Sequence, residues 1–191
     1  MRTPLNGVLG YTALALKETE YDKIRDYLGK IDTSGKLLRD LINDVLELSK
    51  IESGKTVIEY EAAVPEDVIP SVAVSLRPSA ELKNIKYTTD FDIDNTKVIW
   101  CDKLKIQRIA LNIISNAIKY TPDGGSVSVN LKQSNNDGNN IQYVLDVNDT
   151  GIGISEEFIK NMFEPFSQEK RSEAITEQGT GLGLSIVKRY L

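Results

Sequence analysis

Between Ile24 and Val45 the chain places apolar or small residues at Ile24, Leu28, Ile31, Gly35, Leu38, Ile42 and Val45, in alternating steps of four and three. A mean period of about 3.5 residues is that of a helix laid along a coiled-coil or bundle seam. Leu37, Leu41 and Leu48 broaden this stripe beyond what one short partner helix covers. Upstream, Leu5, Leu9, Thr12 and Leu16 share one face of another helix, and Tyr21-Asp22 lies near the break between the two. Thr3-Pro4 is an awkward start, because proline suits only the first turn of a helix or a kink. Ser53-Gly54-Lys55 ends the second helix with a glycine cap. Two helices cannot enclose a core of that width, so the spacing predicts a homodimer built as a four-helix bundle. Taken alone, such a hairpin is equally a plain dimerisation device.

From Thr56 on, short strands alternate with helices. Thr56–Tyr60 reads as a strand, and a helix follows Pro65 through Val72, Val74 and Leu76. Lys86–Phe91 and Lys97–Trp100 read as strands, and Asp102 is placed to cap a helix over residues 103–120. Ser126–Gln133 and Ile141–Asn148 form a hairpin about the polar 135–140 turn, and a last helix starts near Gly181. The fold class expected is α+β: a helical hairpin over 1–55, then an α/β sandwich over 56–191.

The charge balance excludes one class of function. Lys and Arg number 23 against 28 Asp and Glu, a net −5, so no basic face is expected to neutralise nucleic-acid phosphates. A single cysteine, Cys101, cannot form an internal disulfide and fits a reducing compartment. No apolar run approaches the roughly 20 residues that span a bilayer. The chain is therefore read as cytosolic, with membrane contact left to segments outside it.

The chemistry concentrates in four short stretches. Asn112, Asn116 and Lys119 interrupt a mostly apolar helix at steps of four and three, so they share a face, with Tyr120 next in sequence. Amide oxygens are hard donors suited to Mg²⁺, and a lysine one turn on can offset phosphate charge. The plainer reading is that the asparagines are buried groups satisfied by backbone partners. Asp149-Thr-Gly151-Ile-Gly153 ends a strand with a carboxylate that can accept from a purine amino group, but the same pattern describes many ordinary turns. Gly179-Thr180-Gly181-Leu182-Gly183 opens the last helix and reads as a phosphate loop or a hinge. Between the glycine turns lie Phe163-Glu-Pro-Phe166 and a polar loop in which Lys170 or Arg171 either reaches a phosphate or is simply solvated.

In order and spacing these stretches resemble the N box, first glycine box, F box and second glycine box of bacterial two-component sensor histidine kinases. That ATP-binding sandwich, often called the Bergerat fold, is shared with gyrase, the Hsp90 chaperones and MutL. The F box and the preceding hairpin favour the kinases. The resemblance implies that Asn116 ligates Mg²⁺ with support from Asn112, and that Lys119 and Tyr120 approach the phosphates. It implies that Asp149 contacts adenine, while Gly151, Gly153, Gly179, Gly181 and Gly183, with Thr180 and Leu182 between them, shape the pocket and its lid. It further implies transfer of the γ-phosphoryl of ATP to a histidine, then to an aspartate of a response-regulator partner.

Arg2-Thr3-Pro4 matches the end of the family's H-D/E-x-R-T-P motif, so the acceptor is expected two residues before Met1; the chain holds no histidine. Thr3 falls at the position that assists regulator dephosphorylation. Truncation at both ends is the expectation, and with it ATP binding without self-phosphorylation. A related ATPase module and a catalytically silent dimeriser are the alternatives.

Overall fold

The first two helices form as their periodicity requires. In the computed structural model, which describes residues 2–54, 56–136, 140–169 and 179–191, α1 spans Arg2–Ala15 and α2 spans Tyr21–Glu52. Pro4 falls in the first turn of α1, where its missing N–H costs no hydrogen bond. Gly54 lies just past α2 at φ +66°, and its N–H donates to Ile51 O at 3.0 Å. The helices approach closely at Gly7, where a Cβ would stand 2.8 Å from Ser34 Oγ. Tyr11 stacks on Tyr27 with centroids 6.2 Å apart, and the Lys30 ammonium lies over both rings. Leu5, Leu9 and Leu28 stay exposed, at 45%, 60% and 56%.

The chain divides into two compact units, Met1–Thr56 and Val57–Leu191. In the second, the expected strand at 56–60 is absent. Its backbone is held instead by side chains from a later helix: Lys105 Nζ donates to Val57 O at 2.6 Å, and Glu59 N donates to Asp102 at 3.0 Å. Pairing begins only at β1 (Glu61–Ala63), antiparallel to β3 (Ile99–Cys101). A 3₁₀ turn at Pro65–Asp67 leads into α3 (Ile69–Ser75) and α4 (Arg77–Glu81).

The main sheet has the order β2-β4-β5, with β2 (Lys86–Asp92) parallel to β4 (Ser126–Asn136) and β4 antiparallel to β5 (Ile141–Asp149). Between β3 and β4 runs α5 (Lys103–Tyr120), started by the Asp102 carboxylate, which accepts from Lys105 N at 3.1 Å. Its Ala110, Ile114, Ala117 and Ile118 face the core with Val127 and Val129 of β4 and Ala73 and Ala80 of α3 and α4. Each fully buried isoleucine or valine side chain there contributes about 1.5–3 kcal/mol. The remaining helices are α6 (Glu156–Ile159), capped by Ser155, and α7 (Gly183–Tyr190), which packs along α5. Helices on one side of a mixed sheet give the α/β sandwich.

Candidate functional site

With one face of α5 committed to the core, the other is left to carry polar groups. Asn112, Asn116 and Lys119 stand on it, each partly buried, and Tyr120 closes the helix at 37% exposure. Asn112 has an unusual feature: its Nδ2 is buried and has no hydrogen-bond partner among the described residues. A buried amide donor in that state costs about 1–3 kcal/mol, which is why such groups are rare outside ligand sites.

Two glycine turns sit against this helix. In the first, Asp149 Oδ1 accepts from Gly151 N at 2.8 Å, so the carboxylate of this exposed residue shapes its own turn. Ile152 N donates to Tyr120 O at 3.3 Å, and a Cβ on Gly151 would lie 2.7 Å from that same carbonyl oxygen. Only glycine lets the turn hang on the end of α5. Gly153 follows at φ +67° with open space around it. Thr150 secures the base, its Oγ1 accepting from Ser126 N at 2.9 Å.

The second glycine turn meets three neighbours. A Cβ on Gly179 would lie 2.7 Å from Lys119 Nζ, and one on Gly183 would lie 2.7 Å from Asn112 Oδ1. One on Gly181, at φ +70°, would press on the backbone of Phe166 and Ser167 at 2.9 Å. Leu182 between them is fully buried, and Thr180 Oγ1 accepts from Leu182 N at 3.2 Å. The residue Gly181 abuts, Phe166, itself holds φ +63° while 60% exposed. A non-glycine residue in that region stores strain of about 1–3 kcal/mol, characteristic of functional sites. Phe163 is anchored by Lys188 of α7, whose ammonium lies 5.5 Å from the ring centroid.

Thus Asn112, Lys119, Tyr120, Asp149, Gly151, Gly153 and Gly179–Gly183 converge around one polar face of α5, with Asn116 on the same face. Thr3 belongs to the helical unit, exposed in the first turn of α1. Lys170 and Arg171 lie outside the described residues. Sequence reasoning overlooked Gln168, whose Nε2 donates to Gly179 O at 2.6 Å, and Glu169, which accepts from Ser155 N at 3.3 Å. Nothing in a polar loop singles out those two. Thr150 was visible inside its motif, but its cross-strand bond depends on the β4–β5 register. No group of three or more Asp, Glu, His or Cys suited to a metal occurs among the described residues. Any divalent ion here would rest on amide oxygens and a ligand's phosphates, which suits Mg²⁺. The orphaned Asn112 amide and the glycine-lined cradle fit a nucleotide.

Residues 101–191 match the family described as histidine kinase-, DNA gyrase B-, and HSP90-like ATPase, and residues 1–54 match the His Kinase A phospho-acceptor domain. The sensor histidine kinase GacS of Pseudomonas protegens is 35% identical over 191 residues, all of this chain and 21% of that protein. The chain therefore spans about a fifth of the length of such curated relatives. The crystal structure of full-length ShkA in complex with AMPPNP superposes on 98% of this chain and 38% of that one, with TM-score 0.66 and 28% identity. The histidine kinase ThkA, in complex with the response regulator protein TrrA, covers all of this chain and 51% of its own, with TM-score 0.71; at 21% identity it speaks for the fold alone. By both of its domains and by its relatives, the chain belongs to the bacterial two-component histidine kinases, as a kinase core in which a phospho-acceptor hairpin precedes a Bergerat-type ATPase domain.

Proposed function

We propose that residues 56–191 bind Mg-ATP and deliver its γ-phosphoryl to a histidine, from which a response-regulator aspartate takes it. The observation that carries this reading is the packing of both glycine turns onto α5, with the buried Asn112 amide left for a ligand. Mg-ATP supplies the phosphoryl group and the charge that neutralises it. The protein's task is positioning and electrostatics, as in other phosphoryl transfers. Asp149 accepts from the adenine amino group and Gly151 and Gly153 give the ring room. Asn116, with Asn112, presents amide oxygens to the metal. Lys119 and Tyr120 approach the phosphates, and the N-terminus of α7, which no side chain among the described residues caps, offers its first N–H groups to them. Lys170 and Arg171 are assigned to the same phosphates from sequence alone.

The hairpin of residues 1–55 is assigned to homodimerisation, on the exposed stripe of Leu5, Leu9 and Leu28, and to docking of a response regulator, as in the ThkA complex. Thr3 is assigned to regulator dephosphorylation. No helix among the described residues is long and apolar enough to cross a membrane, and the reading places the chain in the cytosol. Because the chain holds no histidine, it binds ATP without phosphorylating itself. Titration with a fluorescent ATP analogue, with and without Mg²⁺, tests the site. Asp149→Asn removes a charged acceptor, which typically contributes about 1.5–3 kcal/mol, so affinity should fall roughly tenfold or more. Equal binding by the variant refutes the site. Acid-labile phosphate retained on this chain after incubation with labelled ATP refutes the absence of self-phosphorylation.

A further inference from the structure

The last turn of α5 is held from outside by a residue that belongs to no motif. Lys83, in the turn before β2, points its ammonium at the end of the helix, where Nζ donates to Ile118 O at 3.1 Å and to Lys119 O at 2.9 Å. Those are two of the four terminal carbonyls that an α-helix cannot satisfy internally. The other two are also accounted for. Ala117 O accepts from Thr121 Oγ1 at 2.7 Å, and Tyr120 O accepts from Ile152 N in the first glycine turn. The backbone of Lys83 is tied to the same corner, its carbonyl accepting from Gly124 N at 3.2 Å. A cation at this place also complements the negative end of the helix dipole.

We propose that Lys83 is a positioning residue for nucleotide binding: its ammonium fixes the last turn of α5, and through it the Lys119 and Tyr120 side chains and the glycine turn that hangs on Tyr120 O. The inference rests on the assignment of this face to ATP, but it concerns a residue some 35 positions upstream of that helix end. Lys83 touches neither the nucleotide nor the metal. It acts by holding Ile118 O and Lys119 O, so that Lys119 Nζ stays beside Gly179 and Ile152 N stays bonded to Tyr120 O.

Titration of the whole chain with a fluorescent ATP analogue tests this, on wild type, Lys83→Met, Lys83→Arg and a control. The control is Tyr87→Phe, which removes a buried hydrogen bond to Ala73 O at 2.8 Å within the core of the same unit. Lys83→Met should weaken binding roughly twofold to fivefold, the range of a lost cation at a helix C-terminus. Lys83→Arg, which restores a cationic donor, should recover most of it, and Tyr87→Phe should leave affinity unchanged while lowering the melting temperature. Lys83→Gln, a shorter neutral donor, substitutes for the methionine variant if that one does not fold. Wild-type binding with no loss in Lys83→Met, or with a loss matched by Tyr87→Phe, overturns the positioning role and leaves the ATP site standing. Failure of the wild type itself to bind overturns the site and this inference together.

Discussion

Substituting alanine at Gly181 should be among the most damaging single-methyl additions in the ATPase unit, and the reason can be separated into two parts. The residue holds φ +70°, where a Cβ meets the neighbouring carbonyl at about 1–2 kcal/mol. The same Cβ would stand 2.9 Å from Phe166 C and from Ser167 O, backbone atoms that cannot rotate aside. Forcing a methyl into such a contact costs a further 1–3 kcal/mol, roughly. The total is about 2–5 kcal/mol, a large share of the stability of a domain this size. Gly153 supplies the control, because it shares the positive φ, +67°, but has nothing within 4 Å of its Cβ position; Gly153→Ala should therefore lose only the conformational part. Gly183 isolates the other half. Its Cβ would meet Asn112 Oδ1, the end of a side chain, so Gly183→Ala should spare stability and weaken nucleotide binding by displacing that carboxamide. Urea unfolding followed by circular dichroism should show the Gly181→Ala midpoint falling by on the order of 1 M or more, from slopes of about 1–3 kcal/mol per molar for small proteins. If Gly181→Ala and Gly153→Ala agree within about 0.5 kcal/mol, the close packing of the second glycine turn on the Phe166 backbone is wrong.

Asp102 links acid stability to the segment at residues 57–59. Burial, the largest single influence, raises its pKa, but the hydrogen bonds from the Lys105 ammonium, Glu59 N and Lys105 N together outweigh it and hold the carboxyl below the usual range. A depressed folded-state pKa stabilises above the unfolded value, about 3.9, and that stabilisation is lost as pH falls through the folded value. Asp102→Asn should thus cost about 1–2 kcal/mol at pH 7 in urea titrations, with the gap from wild type closing below about pH 4; a gap that stays constant down to pH 2 refutes the assignment. Tyr143 runs the other way: its hydroxyl is buried with no hydrogen-bond partner among the described residues, and burial raises its pKa. Tyr143→Phe should be neutral or stabilise by up to about 1 kcal/mol in the same assay, and a loss above about 1 kcal/mol would expose a missed partner.

How far the sequence could be read followed the range of the forces involved. The approximate span of α5 was legible because what sets it is local: a capping aspartate at 102 and an apolar face that runs along the helix. The hairpin was legible for the same reason, since a repeat of four and three is a property of one helix. The strand expected at Thr56–Tyr60 failed because alternation describes a half-buried extended segment without naming what bonds to it. Here Lys105 and Asp102, more than 40 positions away in sequence, take the backbone groups that a neighbouring strand would have taken.

The site shows the same division. Residue types in the N box and glycine boxes announced which chemistry was present, but the reason for four of those glycines is a contact, and for Gly153 it is a positive φ. Gly151 is excluded from bearing a side chain by Tyr120 O, Gly179 by Lys119, Gly181 by Phe166 and Gly183 by Asn112. Each of those partners lies in a different motif from the glycine it confronts. The boxes are therefore not independent patches that happen to share a nucleotide. They are four strips of chain packed directly on one another, and a side chain added at Gly179, Gly181 or Gly183 is felt first by another strip, before any ligand is present. That is why unfolding of the apo protein can test the contacts at Gly181, while Gly183→Ala and the Lys83 variants are read in nucleotide binding; none of these assays needs phosphoryl transfer.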